Sequence, residues 1–139
     1  MVSMSYHFSK SLDPPFDEAV ARVIEALKRE GFGILTDIDV SATLKAKLGE
    51  DFRPYRIEDF RPYRILGACI PQLAYRALQL EDKIGTMLPC NVIVQGYQGG
   101  SVEVSAVDPV ASMHAIDNPA LAEVANEVRA KLKRVVEGL

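Results

Sequence analysis

The sequence predicts an α+β two-layer sandwich with a mainly antiparallel sheet. Two long segments, one near the start and one at the end of the chain, carry apolar residues at helical spacing. A third, Leu88 to Val107, alternates as two strands around a Gly-Gly turn. Short strands and short helices fill the middle, giving β-α-β-(short α)-β-(short α)-β-β-α, a pattern that closes as helices on one side of a sheet.

The first element is a short strand over Ser5–Ser9. Asp13 then reads as a helix cap with Pro14 in the first position and Asp17 and Glu18 in the first turn, where the helix dipole favours acids. Phe16, Val20, Val23, Ile24 and Leu27 form its apolar stripe, and Gly31 stops it. Phe32–Ile38 reads as a strand. Asp39 or Ser41 starts a short helix with Val40, Leu44 and Leu48 on one side, ending at Gly49. Its outer face, Thr43, Lys45 and Lys47 beside Asp37 and Asp39, has the composition of an ordinary solvated surface.

Residues 50–57 read EDFRPYRI, and residues 58–65 read EDFRPYRI again without a difference. Two copies at a period of eight are too few and too short for a solenoid. An exact pair points to a tandem insertion into a parent eight residues shorter. Arg53, Arg56, Arg61 and Arg64 alternate with aromatic rings, as in single-strand nucleic-acid binders. Glu50, Asp51, Glu58 and Asp59 cancel that charge, and duplication explains the pattern better. The second copy, Glu58–Ile65, is expected to form the strand that runs into Leu66–Cys69, because it needs no loop inside the sheet. The first copy is then accommodated ahead of it.

Pro71 opens a helix with Leu73, Ala74, Ala77 and Leu78 inward, followed by a turn over Asp82–Thr86. In the hairpin, a three-residue loop (Gln98, Gly99, Gly100) sets Val92, Val94 and Gly96 against Ala106, Val104 and Val102, whereas a two-residue loop sets Val94 against Ser105. The first register keeps the apolar side chains on one face, with Cys90 among them. Asp108-Pro109 breaks the last strand, and Met113-His114 lies in the loop that follows. Asn118 caps the final helix, Pro119 opens it, and Leu121, Val124, Ala125, Val128, Leu132, Val135 and Val136 form its stripe.

At 139 residues and 48% hydrophobic, the chain suits a single domain able to bury about two-thirds of its unfolded surface. A net charge of −3 argues against a general nucleic-acid binder. No apolar run approaches the ~20 residues of a membrane span. The first fifteen residues lack the basic and apolar regions of a signal peptide, so a cytoplasmic, reducing location is expected, although Cys69 and Cys90 could in principle pair.

Those two cysteines, the only ones in the chain, occupy matching places in LGACIP and LPCNV, beside Pro71 and Pro89. Both fall at element ends and are expected to be neighbours on adjacent strand ends. The runs TDIDVSATLKAKLG, YRILGAC-x-P, ALQLEDKIGTMLPCNVIV and VSAVDPVASM resemble the domain-of-unknown-function 302 (DUF302) family, from the first helix to Met113. The resemblance implies a TBP-like β-α-β(4)-α fold and a homodimer, and no established activity. It marks Asp39, Thr43, Lys45, Cys69, Pro71, Cys90, Asn91, Asp108, Pro109 and Met113. Position 70 is Ile where the family usually has Asn, and the eight-residue duplication is foreign to it.

Two functions from different classes follow. One is a homodimeric binding module for a small ligand or a partner protein, because Ile93 and Val107 are apolar on the sheet face away from the helices. The other is a thiol-based redox or soft-metal site at Cys69 and Cys90, with Met113 or His114 nearby. Two thiolates alone make a poor metal site, and buried free cysteine is often a small apolar residue, so no metal is assigned. No hydrolase or phosphate-loop motif is present, and His7 and His114 stand isolated in the sequence. The binding module is the preferred reading.

Overall fold

The computed structural model describes residues 5–49 and 60–139. Five strands, β1 (His7–Leu12), β2 (Gly33–Asp39), β3 (Tyr63–Cys69), β4 (Cys90–Gly96) and β5 (Val102–Val107), form one sheet in the order β1-β5-β4-β3-β2. Every neighbouring pair is antiparallel. Helices α1 (Phe16–Arg29) and α5 (Pro119–Glu137) lie on one face, and the sheet is open, so the fold is the expected two-layer α+β sandwich.

The core follows from the two periodicities. Alternation along β3, β4 and β5 sends Leu66, Ala68, Cys90, Val92, Val94, Val104 and Ala106 to the helix side, and each is buried. Ala19, Val20, Val23 and Leu27 of α1 and Leu132, Val135 and Val136 of α5 meet them. Side chains of this kind contribute roughly 1.5–3 kcal/mol each when fully buried. The hairpin has the three-residue register: Val92 faces Ala106, Val94 faces Val104 and Gly96 faces Val102. The Tyr97 N–H donates to the Ser101 carbonyl at 2.8 Å, and Gly99 and Gly100 both take φ near +90°.

Helix α1 begins two residues later than its sequence suggests. Pro15, not Asp13, is the residue before it, with φ −56° and ψ 157° and no side-chain cap. Pro14 precedes another proline, which drives it out of helical geometry and leaves Asp13 too far back to cap. Strand β1 also runs three residues beyond Ser9, to Leu12. Helix α2 (Val40–Leu48) starts at Asp39, whose side chain accepts from the Ala42 N–H at 2.9 Å, and none of its residues is buried.

Helix α3 (Pro71–Leu80) buries Leu73 and Ala77, whereas Leu78, expected inward, is exposed. A 3-10 turn over Ile84–Met87 buries Ile84 beneath α3, and with Leu121 and Val124 these residues make a second, smaller core. A one-turn helix, α4 (Pro109–Ser112), leads towards α5. Of the strand expected over Glu58–Ile65, only Tyr63–Ile65 belongs to β3 and Phe60–Pro62 precede it outside any strand; Glu58, Asp59 and the first copy lie outside the described residues.

Candidate functional site

The two cysteines end and begin neighbouring strands. Cys69 closes β3, Cys90 opens β4, and Cys90 stands opposite Ala68 in the ladder. Side chains alternate along a strand, so Cys90 shares the helix side with Ala68, while Cys69, the last residue of β3, sits where the strand gives way to α3. Both thiols are free and no disulfide joins them. The two residues stand at neighbouring strand ends, and both border one cavity on the helix side.

Packing at this end of the sheet is tight. Pro89 enters β4 through a cis peptide bond after Leu88. A Cβ at Gly67 would stand 2.7 Å from the Pro89 ring and closer still to the Thr36 hydroxyl. Glycine at 67 therefore lets β2 and the start of β4 close over β3.

On the helix side lies a cavity of about 30 Å³ between the strand ends, α3, α4 and α5. Cys90, Met113, Leu73, Leu121 and Val128 line it, and Cys69 borders it where β3 gives way to α3. Its walls are almost wholly apolar. Burial pushes the Cys90 thiol up to about 11, and the nearby Cys69 adds to the shift. Burial also raises the Cys69 thiol. Neither has the electropositive surroundings that make a reactive thiolate. Among the described residues there is no cluster of three His, Cys, Asp or Glu side chains fit for a metal.

The other sequence candidates fall elsewhere. Asp108 is buried and structural: its Oδ1 accepts from the Val110 N–H at 3.0 Å, capping α4, and its Oδ2 accepts from Arg129 Nε at 3.2 Å. Pro109 follows as the first residue of α4 and lines the cavity. Asp39 caps α2, where Thr43 and Lys45 point to solvent. Pro71 is an exposed helix opener, and Asn91 is exposed on the far side of the sheet. Cys69, Cys90, Pro109 and Met113 thus come together, and Asp39, Thr43, Lys45, Pro71 and Asn91 do not join them.

On that far side the sequence singles out Ile93 and Val107, but not the row that Ile93 belongs to. The registers place Ile38 opposite Ile65, Ile65 opposite Ile93, Ile93 opposite Ser105 and Ser105 opposite Ser9. An isoleucine row therefore crosses three strands on the face away from α1 and α5. Beside it runs a polar ribbon. Arg61 Nε donates to Gln95 Oε1 at 2.8 Å, Gln95 faces Glu103, and the Ser105 hydroxyl lies 2.7 Å from that of Ser9, itself 2.7 Å from His7 Nδ1. Arg61 also lies over the rings of Phe60, Tyr63 and Tyr97. Gln95 and Ser105 are each only 8% exposed. A shallow groove of about 340 Å³ follows the face, edged by Tyr6, Tyr63, Asn91 and Val107. Pairing register, not any motif, is the signal that finds this row, and it needs the strand order.

Residues 8–139 match the family described as domain of unknown function DUF302. The chain belongs to the DUF302 family. A solved DUF302 structure, an uncharacterized conserved protein from Bacillus stearothermophilus, is similar at 29% identity and a TM-score of 0.82, over 96% of this chain and 98% of that one. No curated protein matches the chain. Among the described residues, no helix of this DUF302 chain is long and apolar enough to cross a membrane.

Proposed function

We infer that this DUF302 chain is a non-catalytic homodimeric binding module that pairs through its open sheet face. The observation that carries the reading is the isoleucine row Ile38, Ile65 and Ile93, on a face that α1 and α5 leave uncovered. Water is a poor neighbour for a row of this kind, and a second copy placed on it would remove it from solvent. The polar groups beside the row support the same reading. The Gln95 carbonyl oxygen and the Ser105 hydroxyl already have hydrogen-bond partners within the chain, so a covering copy need not supply them. A small ligand would share the groove along this face.

Thiol catalysis is the weaker alternative, because burial keeps both thiols protonated at neutral pH. Free cysteines and the negative net charge fit a reducing cytoplasm and no nucleic-acid partner.

The test is the solution mass by light scattering at micromolar concentration, for the natural chain and for Ile93→Glu. A dimer that becomes a folded monomer in the variant supports the reading. A natural chain that is already monomeric, or a variant that stays dimeric, sinks it.

A further inference from the structure

The cavity behind Cys90 is too small for an organic ligand and apolar enough to stay dry, yet three of its bordering residues carry sulfur: Cys69, Cys90 and Met113. These residues are separated in the sequence and meet here because the end of β3, the start of β4 and the end of α4 lie at one place. Cys90 is only 6% exposed. Met113 also lines a second pocket of about 130 Å³, which holds His114 and lies against α5. Met113, Leu121 and Ala125 border both spaces, so the sulfur-lined cavity adjoins a pocket with an imidazole at its edge.

We propose that the cavity is a binding site for a soft monovalent metal ion, Cu(I), held by the Cys90 thiolate and the Met113 thioether with the Cys69 sulfur at the rim. Size decides against larger occupants: a space of about 30 Å³ takes one atom-sized guest. Ligand chemistry decides among ions, since thiolate and thioether select Cu(I), whereas structural zinc wants four ligands and calcium or magnesium wants oxygen. Charge decides further. As the Cu–S bond forms, the Cys90 thiol gives its proton to solvent, and Cu(I) with one thiolate is neutral. A divalent ion on the same ligand would leave net charge in hydrocarbon surroundings.

The experiment is an anaerobic titration of the full chain with Cu(I) against the chromophoric competitor bicinchoninate, with X-ray absorption on the loaded protein. One ion per chain with sulfur-only ligation is expected. Met113→Leu and Cys90→Ala, each checked for an unchanged far-UV circular dichroism spectrum, should weaken binding at least about tenfold, the lower end of what even outer-layer changes do at metal sites. Met113→Leu keeps the test valid where Cys90→Ala fails to fold. No competition by the natural chain, nitrogen ligation, or natural affinity in Met113→Leu overturns the proposal. Neither Cys90 nor Met113 lies on the isoleucine row, so this result and the oligomeric state are independent readouts.

Discussion

Arg129 of α5 donates from Nε to Asp108 at 3.2 Å, joining the last helix to the end of the last strand. The same carboxylate caps α4 with its other oxygen, and the guanidinium lies over the Phe8 ring at 5.1 Å. Asp108 is therefore a structural hub at the cavity's edge. Asp108→Ala should lower stability by about 1–3 kcal/mol, the sum of a lost cap and a lost buried acceptor. Urea unfolding measures it, and a loss under about 0.5 kcal/mol would show that the cap is dispensable.

Gly67→Ala should destabilise more than a surface change, by about 1–3 kcal/mol, because its methyl group meets Pro89 and Thr36. Thr36→Gly placed in the same chain should return part of that loss, since it removes the nearer obstacle. Equal losses with and without the second change would mean that the backbone, not the contact, sets the cost.

The thiol at Cys90 gives stability a sign and a pH window. Its folded value is about 11 against an ordinary 9.0, so the neutral thiol is favoured by folding. The contribution is fully present below pH 9 and is lost as pH rises from about 9 to about 11, amounting to roughly 2–3 kcal/mol. Cys90→Ala should flatten that alkaline decline in stability measured from pH 8 to 11. An unchanged slope would place the titration elsewhere.

The Asp37–Arg64 pair works at the other end of the scale. The Arg64 hydrogen bond holds the Asp37 carboxyl below its ordinary value, so its stabilisation is present at neutral pH and fades as acid protonates it. Both side chains are partly exposed, which limits the effect to below about 1 kcal/mol. Asp37→Asn should remove that small term and its acid dependence in a pH series from 2 to 7. A loss of several kcal/mol would contradict the solvent-screened geometry.

Deleting residues 50–57 should leave the fold and the oligomeric state intact, with stability equal or higher. Circular dichroism and light scattering check it, and unfolding or loss of assembly would make the extra copy integral to the structure.

Much of the fold was legible because local rules and global packing agree. The Leu88–Val107 hairpin shows it: loop length and alternation both select the register that pairs Val94 with Val104. Asn118, Pro119 and Gly49 mark helix ends by chemistry that acts within a turn. The start of α1 was misread because Pro14 and Pro15 act on each other, and Leu78 because a short amphipathic helix fixes its facing only through what it packs on. The candidate residues scattered for a related reason. Motif proximity brought Cys69 and Cys90 together, but their facing depends on ladder register. The row Ile38–Ile65–Ile93 is spread over three strands and exists only once the strand order β4-β3-β2 is known.

Leu66 and Gly67 also decide which copy of the repeat the sheet accepts. Phe52, Arg53, Pro54 and Tyr55 repeat Phe60, Arg61, Pro62 and Tyr63, so a chain slipped by eight residues could offer Tyr97 and Gln95 the same rings and the same guanidinium. With Ile57 in the place of Ile65, Glu58 would occupy the fully buried site of Leu66 opposite Val92, and Asp59 the site of Gly67, where no Cβ fits. An unpaired carboxylate in that core costs several kcal/mol. The sheet thus proofreads its own frame: two residues just past the repeat reject the slipped copy that the repeat itself would tolerate.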